Sequence, residues 1–328
     1  MGTRKLTALA LGATLLLAAG SALSDIRTIS SRGEVYVPLN NIAPYYGMQI
    51  SQTGKDRIQL KNKWHTLEFE TDSRRCWING ALVWLNNPVR KIGWQWALKD
   101  PDFAKTVEPS VRPYAFLKNA GSRVVVLDPG HGGSDTGATS PRKIHEKLLT
   151  KNIANRVRNL LQARGITVYL TREDDRNLSL TERGKIAARR NADVFVSLHA
   201  DSAGTTAEGA GTFILALPQH YSTHSYGKGT PSATSHPGNK FDLANQALGT
   251  RIQQYLVKST SQNDRGVKRA RFQVLREAPC PAALVEMAFI TNPKEERFVL
   301  SKSGQDKIAR GIADGIAAYL HDISRAKK

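Results

Sequence analysis

RVVVLDPGHGG, residues 123–133, sets the fold of the longer half of this 328-residue chain. Val124, Val125, Val126 and Leu127 form an unbroken apolar run without polar alternation, as a strand covered on both faces requires. Pro129, Gly130, Gly132 and Gly133 then end the strand, so His131 stands on a loop at the carboxyl edge of the sheet. Ligand sites of open α/β sheets gather at that edge. Runs of the same kind recur from Ile166 to Leu170, Val194 to Leu198 and Ala282 to Val285. Between them, Leu149, Ile153, Val157 and Leu160 repeat at helical spacing, and Ile308, Ile312, Ile316 and Leu320 do so near the C-terminus. Strands alternating with helices predict an α/β domain over 123–325, a mainly parallel sheet sandwiched by helices. From Ala200 to Lys240 the pattern breaks. One strand-like run, Thr212 to Leu217, is followed by a surface loop rich in Ser, Thr, Gly and His.

Upstream, short apolar runs from Glu34 to Val37, Ile58 to Leu60, Leu67 to Phe69, Cys76 to Ile78 and Leu82 to Leu85 are separated by turn residues. Asn79-Gly80 between the last two is a two-residue hairpin signal. A small β-rich domain is expected over 25–100. All five tryptophans, Trp64, Trp77, Trp84, Trp94 and Trp96, fall here, and in so small a domain most are expected in the core. Pro101, Pro109 and Pro113 with intervening charges read as a linker over 101–122. The two cysteines, Cys76 and Cys280, exclude a disulfide framework; an oxidising compartment permits a single bridge between them, and two buried thiols in separate cores is the favoured reading.

Arg4 and Lys5 precede an apolar run from Leu6 to Ala19 and the small residues Gly20, Ser21, Ala22 and Ser24, the pattern of a secretory signal peptide over 1–24. The run is shorter than the roughly 20 residues a membrane span needs. The expectation is an exported protein, periplasmic or extracellular, and not membrane-spanning. Formal net charge is +19, and removing Arg4 and Lys5 leaves +17. Acidic partners follow from that excess. Export and the lack of any nucleic-acid motif exclude DNA and RNA, leaving wall polymers and anionic surfaces.

Glu146 opens the helix after the His131 loop, and the run from Val194 to Leu198 delivers His199 at the end of another strand. Two histidines and a carboxylate on one rim match the donor set of catalytic zinc sites, which keep a fourth position open. Taken singly, each residue has a structural role available, Glu146 at a helix N-terminus and the histidines at strand ends. Glu286, closing a fourth strand, adds weight to the metal reading. His145-Glu146 begins like the H-E-x-x-H helix motif, but position 149 is Leu. His220, His224 and His236 lie in the long loop and read as solvated.

The ordered segments VVLDPGHGGSDTGA (125–138), Glu146 with its helix, LTR (170–172), LTER (180–183), ADVFVSLHAD (192–201), RGVKRARFQVLR (265–276) and PAALVEMAFITN (281–292) resemble the zinc-dependent N-acetylmuramoyl-L-alanine amidases, the third of the common amidase classes. The resemblance implies zinc held by His131, Glu146 and His199, a catalytic Glu286 that moves a proton from water to the leaving L-alanine nitrogen, and peptidoglycan as substrate. Asp201 stands where that family usually has Asn, and Met287 and Ala288 replace a smaller pair. A protein activator is left open. The segment from Val35 to Leu39, Tyr45-Tyr46-Gly47 and Ile78-Asn79-Gly80 resemble the small N-terminal module first described in copper amine oxidases, without a copper site, since His65 is its only histidine. Two other readings stand beside this one: a zinc peptidase cutting within the stem peptide, and a non-catalytic wall-binding protein.

Overall fold

The computed structural model describes residues 26–117 and 123–326, so the signal peptide expected over 1–24 lies outside the described residues. The chain forms two compact units, one of residues 1–119 with 323–328 and the other of residues 120–322.

In the first unit, β1 (Ile29–Ser31), β2 (Glu34–Pro38), α1 (Leu39–Tyr45), β3 (Gln49–Gly54), β4 (Arg57–Lys61), β5 (Thr66–Glu70), β6 (Arg75–Ile78), β7 (Ala81–Trp84), β8 (Arg90–Ile92) and β9 (Gln95–Lys99) follow one another. Strands β3 to β7 form an antiparallel meander, and β1, β2, β9 and β8 a second sheet in that order. Asn79 and Gly80 both have positive φ, 50° and 84°, and Ile78 pairs with Ala81 across them, so they make the tight turn their types favour. Cross-strand rows Ile58–Phe69–Cys76–Val83 and Leu60–Leu67–Ile78–Ala81 are buried and supply the core.

Two expectations fail here. Residues 101–111 are not linker but irregular helical turns with Phe103, Val107 and Val111 buried. Pro101 and Pro109 fall in the first positions of those turns, where a missing N–H costs nothing. Asp102 accepts from the backbone and side-chain amides of Asn86 and Asn87, and the fully buried Glu108 accepts from the hydroxyls of Tyr45 and Tyr46 and pairs with Arg112. The tryptophans are not core either. Trp64 and Trp94 are over 70% exposed, and Trp77 and Trp84 lie on the outer face of the meander under arginines, Arg57 standing 4.1 Å above the Trp77 ring. An indole half covered by a guanidinium gains a cation–π contact without entering the core.

The second unit comprises β10 (Val124–Pro129), α2 (Glu146–Gln162), β11 (Thr167–Leu170), α3 (Leu180–Arg189), β12 (Val194–Asp201), β13 (Ala210–Leu215), α4 (Asp242–Thr260), β14 (Asp264–Ala270), α5 (Gln273–Arg276), β15 (Ala282–Phe289), α6 (Pro293–Leu300) and α7 (Lys302–Ser324). It is an α/β fold with a mixed sheet flanked by helices. Strands run in the order β11-β10-β12-β15-β13-β14, all neighbours parallel except β13 against β15. The reversal has a local cause: β12 reaches β13 through residues 202–209, too short for the crossover that parallel strands need. Ser179 caps α3, accepting from Glu182 N at 3.2 Å, and Asn292 caps α6.

One sheet face carries Val126, Phe195, Phe213 and Leu284, covered by Ala187 of α3 and by Val274 and Leu275 of α5. The other carries Thr212, Ile214 and Val267 against α4. Helix α7 crosses α4 closely enough that a Cβ on Gly315 would lie 2.5 Å from Ile252 Cα. The obstacle is backbone, so the helices must separate to admit a methyl. Gly315→Ala is therefore expected to cost about 1–3 kcal/mol, read as a fall of several degrees in the melting temperature of the second unit with its secondary structure unchanged.

Candidate functional site

Strand β10 ends in a charged residue with no exposure at all. Asp128 accepts from Thr171 Oγ1 at 2.6 Å, Arg183 Nη1 at 2.7 Å and Ser197 Oγ at 2.8 Å, which fully satisfies a buried carboxylate. The same two-strand corner collects arginines. Arg183 also donates to the carbonyls of Pro129 and His131, and Arg172 to those of Pro129, Gly130 and Lys147. Three successive loop carbonyls are thus gripped from below, and His131, at φ 62°, is held in a conformation that side chains rarely adopt.

His131 Nδ1 lies 2.9 Å from Asp135 Oδ2, and its Nε2 lies 3.1 Å from Glu146 Oε2. Glu146, 4% exposed, is the first residue of α2. Its Oε2 accepts from Ala138 N and its Oε1 from Ala200 N, both at 2.9 Å, while His199 Nδ1 lies 3.0 Å from Oε1. The imidazoles stand edge to face with centroids 4.9 Å apart. Gly130 allows this: a Cβ there would come within 2.3 Å of the His199 ring.

One donor atom from each of His131, Glu146 and His199 lies within 4.8 Å of the others, and among the described residues this is the only such group with metal-ligand composition. The set of two nitrogens and one oxygen suits zinc. Asp135 behind His131 supplies the outer carboxylate that commonly orients a ligating imidazole. Burial pushes Glu146 up, but the two imidazoles outweigh it and hold its pKa well below the carboxylate range. Burial pushes His131 down, and Glu146 and Asp135 hold it above the usual histidine value.

Glu286 sits in β15 directly opposite His199 in β12. Its Oε2 is buried and has no hydrogen-bond partner among the described residues. Burial, then the negative charges of Asp201 and Glu146, push its pKa far up, against Lys268, which pulls it down. A half-buried acid whose inner oxygen is orphaned, beside two further acids, is the electrostatic setting that a divalent cation relieves. The residues fit the ion.

The other histidines stay outside. His145 is the N-cap of α2 with Nδ1 3.2 Å from Thr139 Oγ1, and Leu149 is core. His220 contacts the Pro218 carbonyl at 2.9 Å. His224 is exposed, as expected of that loop, with its ring tilted at 6.1 Å from Phe213. Sequence reasoning did not single out the Asp128 network or Lys268. The alternation Gly266, Lys268, Ala270 was the available signal for Lys268, masked by Arg265 before it and Arg269 within it.

The family profile described as N-acetylmuramoyl-L-alanine amidase matches residues 125–318. N-acetylmuramoyl-L-alanine amidase AmiA of Escherichia coli (strain K12) is 34% identical over 258 residues, covering 72% of this chain and 89% of that protein. The endolysin of Bacillus phage SPP1 is 35% identical over 201 residues, covering 61% and 67%. Among solved structures, the catalytic domain of CwlV, an N-acetylmuramoyl-L-alanine amidase from Bacillus (Paenibacillus) polymyxa var. colistinus, aligns with TM-score 0.51 at 34% identity, covering 61% of this chain and 98% of that one. N-acetylmuramoyl-L-alanine amidase AmiC2 of Nostoc punctiforme aligns with TM-score 0.52 at 30% identity, covering 62% and 99%.

Proposed function

Because the chain belongs to the N-acetylmuramoyl-L-alanine amidase family, we propose that it hydrolyses the amide between N-acetylmuramic acid and L-alanine in peptidoglycan, with zinc held by His131, Glu146 and His199 and with Glu286 as proton carrier. The observation that supports this most is the convergence of three donor atoms within 4.8 Å with a half-buried carboxylate on the next strand, opposite His199. Zinc, when bound, supplies Lewis-acid polarisation of the carbonyl and activation of water. Asp135 fixes the His131 ring through Nδ1, leaving Nε2 toward the ion. Glu286 takes a proton from the attacking water and returns it to the departing alanine nitrogen, a task for a carboxylate near the metal but not bound to it.

The mature chain is exported and associated with the wall. Its basic excess suits anionic wall polymers, and no helix among the described residues is long and apolar enough to cross a membrane. The first unit, a β-rich module of the copper-amine-oxidase N-terminal type, places the enzyme on the wall rather than contributing to chemistry. Its half-covered Trp77 and its exposed Trp64 and Trp94 are surfaces on which sugar rings stack.

Digestion of purified peptidoglycan tests the reaction. Free stem peptides with a new alanine amino group, beside intact glycan strands, are the expected products. Chelation is expected to stop their release and added zinc to restore it. Fragments cut within the stem would favour a peptidase, and no soluble product would favour a wall-binding protein.

A further inference from the structure

The face of the sheet that holds the metal trio continues past Glu286 across β13 and β14. Registers place His199, Glu286, Gly211 and Gly266 in one row across β12, β15, β13 and β14. The row behind it, on the same face, is Ser197, Leu284, Phe213 and Lys268, since residues two apart share a face. Two positions of the front row therefore carry no side chain. Lys268 leans across, with Nζ 5.4 Å from the centroid of Phe213. The long loop after β13 forms a wall: Thr223 Oγ1 accepts from Arg269 N at 2.8 Å, and His224 packs on Phe213.

Lys268 is 5% exposed, and the contact of its ammonium is with the Phe213 ring rather than with a carboxylate held in an ion pair. Burial, then the nearby Arg265, bring its pKa down to about 8, against Asp201, Glu286 and Asp264, which raise it. Glu286 lies on the same face with its Oε2 unpartnered among the described residues. The interval between them is floored by Gly211 and Gly266, which add no side chain to close it.

We propose that Lys268 binds a carboxylate of the substrate on the peptide side of the cut bond, and so selects stem peptides whose second residue carries a free carboxylate. The inference rests on the amidase reading above. On the glycan side of that bond the groups are a neutral lactyl ether and neutral sugars. On the other side the second stem residue, a glutamate joined through its side chain, keeps its α-carboxylate unless it is amidated. A cation set just beyond the proton carrier meets its anion only on the peptide side.

The test compares two soluble substrates, muramoyl-L-alanyl-D-isoglutamate and its isoglutamine amide, with the full-length protein. The parent is expected to prefer the carboxylate by roughly 10- to 100-fold in kcat/KM, the range of a charge-assisted hydrogen bond. Lys268→Met and Lys268→Gln fall further on the carboxylate substrate than on the amide and so lose that preference, and Lys268→Arg keeps it. An equal fall on both substrates would overturn the proposal and make Lys268 a support for the reacting centre. So would a parent that cuts both equally. Inhibition of the parent by free L-alanyl-D-isoglutamate, stronger than by its amide, supports the carboxylate site without any variant; equal inhibition refutes it. A parent that cleaves neither substrate overturns the amidase reading itself.

Discussion

His199→Ala is expected to leave a folded protein without metal and without activity. The imidazole stands at the end of β12, one fifth exposed, and its loss opens a space at the rim rather than in the core. Removing a partner behind a ligand typically costs 10- to 100-fold in metal affinity, and removing one of only three ligands is expected to cost more. Metal content measured after dialysis checks this, with circular dichroism to confirm the fold. Undiminished zinc would sink the assignment. Gly130→Ala is a second route to the same result, because its methyl would collide with the His199 ring while leaving every donor residue in the chain.

Glu286→Gln separates proton transfer from metal binding. Glutamine has the shape of glutamate and cannot accept a proton from the attacking water. General acid–base catalysis contributes about 100- to 10,000-fold, so turnover is expected to fall by at least 100-fold with zinc content and KM nearly unchanged. Stability is expected to hold or rise, because a half-buried carboxylate with an unpartnered inner oxygen becomes a neutral amide. Zinc loss in the variant would make Glu286 a ligand. Turnover within a few-fold of the parent would remove it from the mechanism.

The trio of donor residues was legible because apolar runs such as Val194 to Leu198 point to strand ends, and strand ends share a rim. Helix α2 was legible from Leu149, Ile153 and Val157, although its last inward residue is Leu161 rather than Leu160. Strand β14 and helix α4 were not read as elements, for one physical reason. Both bury polar side chains. Lys268 and Arg269 enter the sheet from β14, and Asn245, Gln246, Thr250 and Gln253 line the inner side of α4. Arg269 donates to Gln246, and Gln253 bridges Thr212, Ala210 and Asp264, so the polarity is satisfied between elements far apart in sequence. Hydropathy counts such residues as solvated. The first unit misled in the opposite sense, where tryptophans counted as core lie on an outer face beneath arginines, and prolines counted as linker sit at the start of helical turns.

The grip of Arg172 and Arg183 on the carbonyls of Pro129, Gly130 and His131 has a consequence for the supply of the ion. In many small metal domains the ion pays for folding, so scarcity of the metal empties the cell of folded protein. Here Asp128 and two arginines shape the loop from within the chain, above the sheet that supports it. Folding is therefore expected not to depend on metal loading. On the proposed zinc reading, shortage of the ion is expected to lower the fraction of molecules that are active without lowering the number that are folded.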